Sequence, residues 1–519
     1  MSNEMSRRDF LKNLKKLGIT AGVGSAVLFL GASNLNAGSF EDAGARGMCG
    51  AGMNCSGGNG QCGAGMNCGG SGRPGGGGQC GAGMNCGGSL NMNRIYKFPS
   101  YVQRFKWGDK IVFINSEIPA WLVTNELGEI ILNLFDGKNS LSEIIEIAVS
   151  GLGENLRNQI QKFCDNAINS GIFNEKIKEI RHKYPLHIVH LALTEKCNLK
   201  CKYCYVENRK ETSENYLNLN EYRKIIDDIL DFAPNCTFNI TGGEPLLNKN
   251  WKEIASYIKS KGAKTWLLSN GTFFSENNIK DIKELFDNVS VSIDGSEAKF
   301  HNLTRGRNFN KVINAVNLME KYGVNYGLSM TVCKTNIADV ENSAKKYGSK
   351  LKYQPLFPVS DLANNELSIT GSEYYEALQK ANGVVPLANY ENMLQSAKIS
   401  KCQKCAMGDG EISISADGNV YPCQLLHDEK FLAGNIREQN IIDIYKNSEK
   451  LAYCQNLTVD KIDGCKICAF KYICGGACRA RSFYEVGNIA KNGDFCIYEK
   501  TALLDGIIKS CSDNLLEMI

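Results

Sequence analysis

The stretch His187-Ile188-Val189-His190-Leu191-Ala192-Leu193-Thr194-Glu195-Lys196-Cys197-Asn198-Leu199-Lys200-Cys201-Lys202-Tyr203-Cys204 decides the fold. Its first seven residues are a mostly apolar run of strand length. Three thiols follow just past the strand's carboxyl end, spaced Cys-x3-Cys-x2-Cys. Further strands are predicted at Thr237–Ile240, Thr265–Ser269, Val289–Ile293, Tyr326–Val332 and Leu351–Phe357. Amphipathic helices such as Tyr222–Leu230 and Val312–Tyr322 lie between them. Alternation of this kind builds a parallel sheet. Six strands fall short of a closed eight-stranded barrel. The expectation is an α/β chain with a partial (β/α)6 barrel over residues 186–395, whose loops after the strands form the site.

A chain of 519 residues holds several domains. Its formal net charge of +4 is close to neutral, so bulk charge argues for neither nucleic acid nor a membrane surface. The 22 Cys fall into three groups, at 49–86, 197–204 and 402–496, and their short Cys-x-x-Cys spacings favour metal over disulfides. Three close thiolates suit three irons of a cubane and leave the fourth iron open. An open iron can hold the amine and carboxylate of a methionine group and pass an electron into its sulfonium, releasing methionine and a 5′-deoxyadenosyl radical. A closed four-cysteine electron carrier cannot do this. A zinc site with a distant fourth ligand is the competing reading.

Past the second strand stands Thr241-Gly242-Gly243-Glu244-Pro245. Together with Cys197, Cys201 and Cys204, and with Tyr203 among them, it resembles the signature of the radical S-adenosylmethionine (SAM) superfamily. The resemblance implies that Gly242, Gly243 and Glu244 receive the methionine amino group. It also implies that Ser292, in Val289-Ser290-Val291-Ser292-Ile293-Asp294-Gly295, and Arg305 contact the ribose or carboxylate of S-adenosylmethionine. Leu356 would touch adenine, and Tyr203 belongs to the same cofactor site.

The carboxyl-terminal spacing is Cys405-x12-Gly418-x4-Cys423, then Cys465-x2-Cys468-x5-Cys474-x3-Cys478, then Cys496. It resembles the SPASM domain, here over residues 396–505, which carries two auxiliary 4Fe-4S clusters. The resemblance implies one cluster on Cys402, Cys405, Cys423 and Cys478 and another on Cys465, Cys468, Cys474 and Cys496, for three clusters in all. Cys465-x2-Cys468 alone also fits zinc. Gln424 stands where anaerobic sulfatase-maturing relatives have a proton-accepting Asp. An amide cannot take that proton, which disfavours sulfatase maturation. No general base is assignable from sequence, so the catalytic residues are unknown. Residues 506–519 are expected to form a carboxyl-terminal tail.

Residues 92–182 read as short strands at Ile111–Ile114 and Ala120–Val123, a helix capped by Asn125, and two more helices. Trp121–Gly128 and Leu134–Gly137 resemble the winged-helix-like peptide-recognition elements of ribosomal-peptide maturases, whose prototype is the peptide chaperone of pyrroloquinoline quinone synthesis. Such elements take a leader peptide as an added strand. Ahead of this domain, Cys49-Gly50-Ala51-Gly52-Met53-Asn54-Cys55 recurs at Cys62–Cys68 and Cys80–Cys86, within a glycine-dense segment, 38–90, expected to be disordered. Residues 1–37 contain Ser6-Arg7-Arg8-Asp9-Phe10-Leu11-Lys12, which resembles a twin-arginine export signal, and an apolar stretch too short for a membrane span.

These features lead to a radical SAM peptide maturase acting on Cys repeats, by thioether crosslinking, with its own amino-terminal segment or a related precursor as peptide substrate. The alternative is a maturase of a separate protein or peptide, with the repeats binding soft metal. Its partners are the peptide and a low-potential electron donor such as ferredoxin or flavodoxin. Nucleic acid and a stable membrane span are not expected, and the expected site of action is the cytoplasm.

Overall fold

The computed structural model describes residues 13, 30–32, 90–175, 185–206, 215–359, 366–382 and 402–512. The twin-arginine-like motif and the Cys repeats lie outside the described residues.

The first unit is built on antiparallel strands. In chain order it contains β1 (Leu30–Ala32), β2 (Ile95–Lys97), β3 (Val102–Trp107), β4 (Lys110–Asn115), β5 (Ala120–Thr124), α1 (Glu126–Leu132), β6 (Asp136–Ser140), α2 (Leu141–Leu152) and α3 (Arg157–Asn169). The main sheet has the order β1-β5-β4-β3, and β2 pairs with β6. Asn125 caps α1 by accepting from Gly128 N at 2.9 Å, as the sequence implies. Ser140 and Glu143 close a capping box at the start of α2. The run Ile111-Val112-Phe113-Ile114 is apolar throughout because β4 is buried on both faces. Ile111 and Phe113 face the helices of this unit, whereas Val112 and Ile114 pack with Trp121, Phe470, Ile473 and Leu503. The hairpin partner β3 was not anticipated, because Val102–Trp107 alternates only weakly and is half-exposed.

The second unit is the parallel barrel: β7 (Ile188–Ala192), α4 (Leu219–Phe232), β8 (Thr237–Thr241), α5 (Trp251–Ser260), β9 (Lys264–Ser269), α6 (Ile279–Leu285), β10 (Asn288–Ser292), α7 (Ala298–Arg305), α8 (Phe309–Tyr322), β11 (Tyr326–Val332), α9 (Val340–Tyr347), β12 (Leu351–Pro355) and α10 (Gly371–Asn382). All six expected strands are present. Their side chains alternate. Val189, Leu191, Phe238, Ile240, Leu267, Val289, Val291, Leu328 and Met330 enter the core with the flanking helices. Ser290, Ser292, Ser329 and Thr331 take the opposite, half-buried face.

The third unit contains β13 (Glu411–Ile414), β14 (Asn419–Tyr421), β15 (Gly434–Asn435), α11 (Ile441–Asn447), α12 (Glu449–Gln455), α13 (Lys471–Cys474), α14 (Arg479–Val486) and α15 (Cys496–Ser512). Sequence periodicity missed that β13 pairs in parallel with β7, so the sheet runs β12-β11-β10-β9-β8-β7-β13-β14-β15. The terminal helix is also longer than expected and begins at Cys496 rather than after Thr501.

The first and third units share a core in which the β4–β5 face covers the Cys468–Cys474 loop and α15. Lys471, 3% exposed, anchors that contact through Glu117 at 2.8 Å and Asp460 at 3.1 Å. Breaking a buried pair leaves an uncompensated charge. Lys471→Met should therefore cost about 3 kcal/mol, read as a lower urea midpoint of the intact chain.

Candidate functional site

The loops that follow β7 and β8 are joined backbone to backbone. Gly243 N donates to Thr194 O at 2.7 Å and Glu244 N to Lys196 O at 2.9 Å. A Cβ at Gly242, where φ is +136°, would stand 2.2 Å from Thr194 O. One at Gly243 would stand 2.3 Å from Lys196 O. Contacts this short exclude any side chain, so the two glycines are required by the approach of the cysteine loop itself. Pro245 then starts a short 3-10 turn whose entry residue is Glu244.

Glu244 is fully buried. Its carboxylate accepts from Ser269 Oγ at 2.9 Å and from Asn270 N at 2.8 Å. Burial pushes the carboxyl up to about 7, against the pull of those donors. Asn270 also reaches toward Cys197 Sγ at 3.8 Å and bonds Asn198 Oδ1 at 2.9 Å, which links the end of β9 to the cysteine loop. Burial raises the Cys201 thiol to about 11, with Arg305 opposing, and moves Cys197 in the same direction.

Across the mouth of the barrel the organising group is Asp294, two residues past Ser292. It is fully buried. It accepts from the Tyr203 hydroxyl, from Thr304 Oγ1 at 2.7 Å and from Thr331 N at 3.1 Å. Arg305, the last residue of α7, pairs with it at 3.0 Å and lies 5.4 Å from the centre of the Tyr203 ring. Leu356, 2% exposed, packs with Cys333, Leu367 and Tyr203. Tyr203, Arg305 and Leu356 thus meet at one place. Ser292 stands opposite Ser329 at the end of β10.

The third unit gathers two sets of thiols. Cys465, Cys468, Cys474 and Cys496 line a cavity of about 290 Å³, part of it open to solvent. Burial raises Cys496 to about 11 and Cys474 well above its ordinary value. Cys405, Cys423 and Cys478 form the other set within one apolar cluster. Burial raises Cys478 to about 11 and Cys423 much further, and each also feels Cys405. Cys402 lies toward Cys474, whose thiol feels it, rather than within the apolar cluster of Cys405, Cys423 and Cys478. Its N–H donates to Tyr472 O at 2.8 Å, and its Sγ lies against Gly475, where a Cβ would come within 2.2 Å. Among the described residues, no three His, Cys, Asp or Glu side chains are gathered tightly enough for one bare ion. The donors in both sets are thiols, the ligand type that iron–sulfur clusters take. Thiols this dry must lose protons to a cation, which such a cluster supplies.

The radical SAM superfamily pattern matches residues 191–347, and an iron-sulfur cluster-binding domain pattern matches residues 390–469. The chain is a radical SAM family enzyme. These two domains carry S-adenosylmethionine and 4Fe-4S binding. A heme synthase dependent on S-adenosylmethionine, from Methanosarcina barkeri, is 27% identical over 343 residues, covering 60% of this chain and 96% of the relative. A cysteine-type anaerobic sulfatase-maturating enzyme from Clostridium perfringens is 25% identical over 335 residues, covering 57% and 89%. The antilisterial bacteriocin subtilosin biosynthesis protein of Bacillus subtilis is 24% identical over 351 residues, covering 63% and 73%. Among solved structures, native anSMEcpe with bound AdoMet superposes with a TM-score of 0.54 at 21% identity, over 64% of this chain and all of that one, and so shares the fold. The names of these relatives cover unlike substrates, so membership alone does not select one.

The enzyme's third unit also reaches into the barrel. Gln424, 6% exposed, donates to the Tyr205 hydroxyl and to Thr241 Oγ1 at 3.3 Å. Arg481 Nη2 donates to Pro355 O at 3.0 Å and Leu356 O at 2.5 Å. Sequence reasoning missed Ser269, Asn270 and Asp294. A signal was available in Ser269-Asn270-Gly271-Thr272 and Asp294-Gly295, polar residues with glycine at strand ends. No helix among the described residues is long and apolar enough to cross a membrane. Asp294→Asn leaves Arg305, 10% exposed, without a counter-charge. It should cost about 3 kcal/mol, measured by denaturant unfolding of the iron-free chain.

Proposed function

We propose that the enzyme cleaves S-adenosylmethionine reductively and uses the radical to modify a ribosomal peptide by forming thioethers at Cys. Cys197, Cys201 and Cys204 would hold the radical-generating cluster, with Tyr203 on the same loop. Gly242, Gly243 and Glu244 would receive the methionine amino group, Ser292 and Arg305 the ribose or carboxylate, and Leu356 the adenine. Cys402, Cys405, Cys423 and Cys478 would hold one auxiliary cluster. Cys465, Cys468, Cys474 and Cys496 would hold the other. When bound, the first cluster and S-adenosylmethionine supply a 5′-deoxyadenosyl radical and release methionine.

The observation that carries the peptide reading is the direct packing of the 90–175 sheet on the Cys468–Cys474 loop and α15. A peptide held by this sheet is held next to the thiol-lined cavity and to the barrel, which Gln424 and Arg481 join to the third unit. The likeness of Trp121–Gly128 to peptide-recognition elements supports the same reading. The three Cys repeats at 49–86 are the natural targets. Closing a thioether takes one hydrogen from a carbon, which ends on 5′-deoxyadenosine. It takes one proton from the Cys thiol. The electron released balances the one consumed. A low-potential donor such as ferredoxin or flavodoxin would start the cycle, and the cytoplasm, where that donor and S-adenosylmethionine are found, is the proposed site of action.

The chain's own residues prepare each part. Asp294 fixes Arg305 and Tyr203. Ser269 and Asn270 orient Glu244, and Gln424 ties the auxiliary unit to the loop bearing Tyr205.

The test is anaerobic turnover of the reconstituted enzyme with S-adenosylmethionine and dithionite, followed by mass spectrometry. The expected outcome is 5′-deoxyadenosine together with a loss of two hydrogens per thioether in residues 38–90. Deoxyadenosine with unchanged repeats would move the substrate to a separate peptide and leave the repeats as soft-metal ligands. The full chain should carry about twelve irons. Cys201→Ala should carry about eight and form no deoxyadenosine. A carboxylate pairs with an ammonium only when ionised, so wild-type affinity for S-adenosylmethionine should fall as pH is lowered through about 7. Glu244→Gln should bind at least tenfold more weakly, with no such pH dependence, by equilibrium dialysis of the iron-loaded chain; tenfold is about 1.4 kcal/mol.

A further inference from the structure

Strand β1 comes from the amino-terminal segment, yet it pairs antiparallel with β5, Leu30 opposite Thr124, Gly31 opposite Val123 and Ala32 opposite Leu122. It occupies the edge of the sheet that the order β1-β5-β4-β3 would otherwise leave open. It also lies against α3 and α15, and α15 starts at Cys496 in the thiol-lined cavity. An open sheet edge is a docking site for extended peptide. Here the occupant belongs to the same chain.

The chain returns to this unit at Leu90 and Met92, which pack on the core of its helices, and Ser142 N donates to Met92 O at 2.9 Å. The repeats at Cys49–Cys55, Cys62–Cys68 and Cys80–Cys86 therefore lie between two anchors on one unit. Extended chain spans at most about 3.3–3.6 Å per residue, which keeps every repeat Cys within a bounded distance of the barrel. Tethering of this kind replaces encounter by an intramolecular event.

We infer that residues 30–32 are the leader strand of the chain's own substrate, docked in cis on β5, and that the repeats are delivered to the barrel as a loop closed at both ends. The inference rests on the reading of the repeats as substrate. Modification is then first order in enzyme. A separate peptide must displace β1 before it can bind.

Two measurements test this. The first mixes the active chain with an excess of isotopically heavy Cys201→Ala chain, which has a complete amino terminus but forms no radical. Loss of hydrogens in the light repeats alone, at a rate unchanged by hundredfold dilution, is the expected result. Equal modification of the heavy repeats would overturn cis delivery. The second measurement is hydrogen exchange of the resting enzyme, which needs no turnover. Proline lacks the N–H, and neighbouring residues of a strand point to opposite sides. Replacing both Gly31→Pro and Ala32→Pro thus removes at least one ladder bond in either phase. Amides of Leu122–Thr124 that face β1 should exchange about a hundredfold faster in this variant. Unchanged exchange would overturn the docking. Protected β5 amides with unmodified repeats in both light and heavy chains would instead overturn the self-substrate reading, and cis delivery with it, while leaving the strand pairing intact.

Discussion

The site depends on a contact that leaves no room for a Cβ. Gly242 and Gly243 bring the loop after β8 against the carbonyls of Thr194, Glu195 and Lys196, and two backbone hydrogen bonds hold it there. The cysteine loop would otherwise be an irregular excursion past a strand end. The contact fixes its root to the neighbouring strand, and Asn270 fixes its thiol-bearing arm to the next. Three parallel strands thereby define where Cys197 sits relative to Glu244. A polar cluster inside a protein is stable when every member is satisfied. Around Glu244 and Asp294, hydroxyl, amide and guanidinium partners come from β9, β11 and α7.

A second constraint joins the units into one body. β13 extends the barrel sheet across β7, and Arg481 holds the carbonyls at the end of β12. Cys423, just past β14, is therefore positioned by the same sheet that positions the cysteine loop, two strands along from β7. The antiparallel unit closes over the Cys468–Cys474 loop from the other side through Trp121, Val123 and Phe470. Apolar burial on both faces of β4 and β5 is what such a sandwiched position requires.

Much of this was legible in the sequence because the strands of the barrel are short apolar runs with strong periodicity, and their thiol and glycine motifs sit at strand ends. The helix at Asn125 was equally plain, since a cap and an apolar stripe agree. What could not be read were the pairings that join distant segments. β13 is four residues long and carries Ser413 between two isoleucines, so nothing local says that it belongs beside His190. β3 is half-exposed and carries charges, and its hairpin partner alone identifies it. Asp294 was hidden for another reason: an aspartate followed by glycine reads as a turn, and its role arises from Tyr203 of the cysteine loop, Thr304 and Arg305 of α7 and Thr331 of β11, which the fold brings together.

The pairing of β13 with β7 also sets a schedule for biosynthesis. β7 gains β8 soon after it leaves the ribosome, but its other neighbour is made roughly 220 residues later, which at 5–20 residues per second leaves that edge bare for about 10–45 s. During this interval the nascent barrel exposes an unpaired, hydrophobic central strand next to the cysteine loop. The late arrival of β13 covers the bare edge of β7 at about the time the auxiliary thiols begin to emerge. Closure of the sheet and loading of iron are thus events of the end of translation, and a ribosome that stalls before residue 411 leaves a sticky, metal-hungry intermediate.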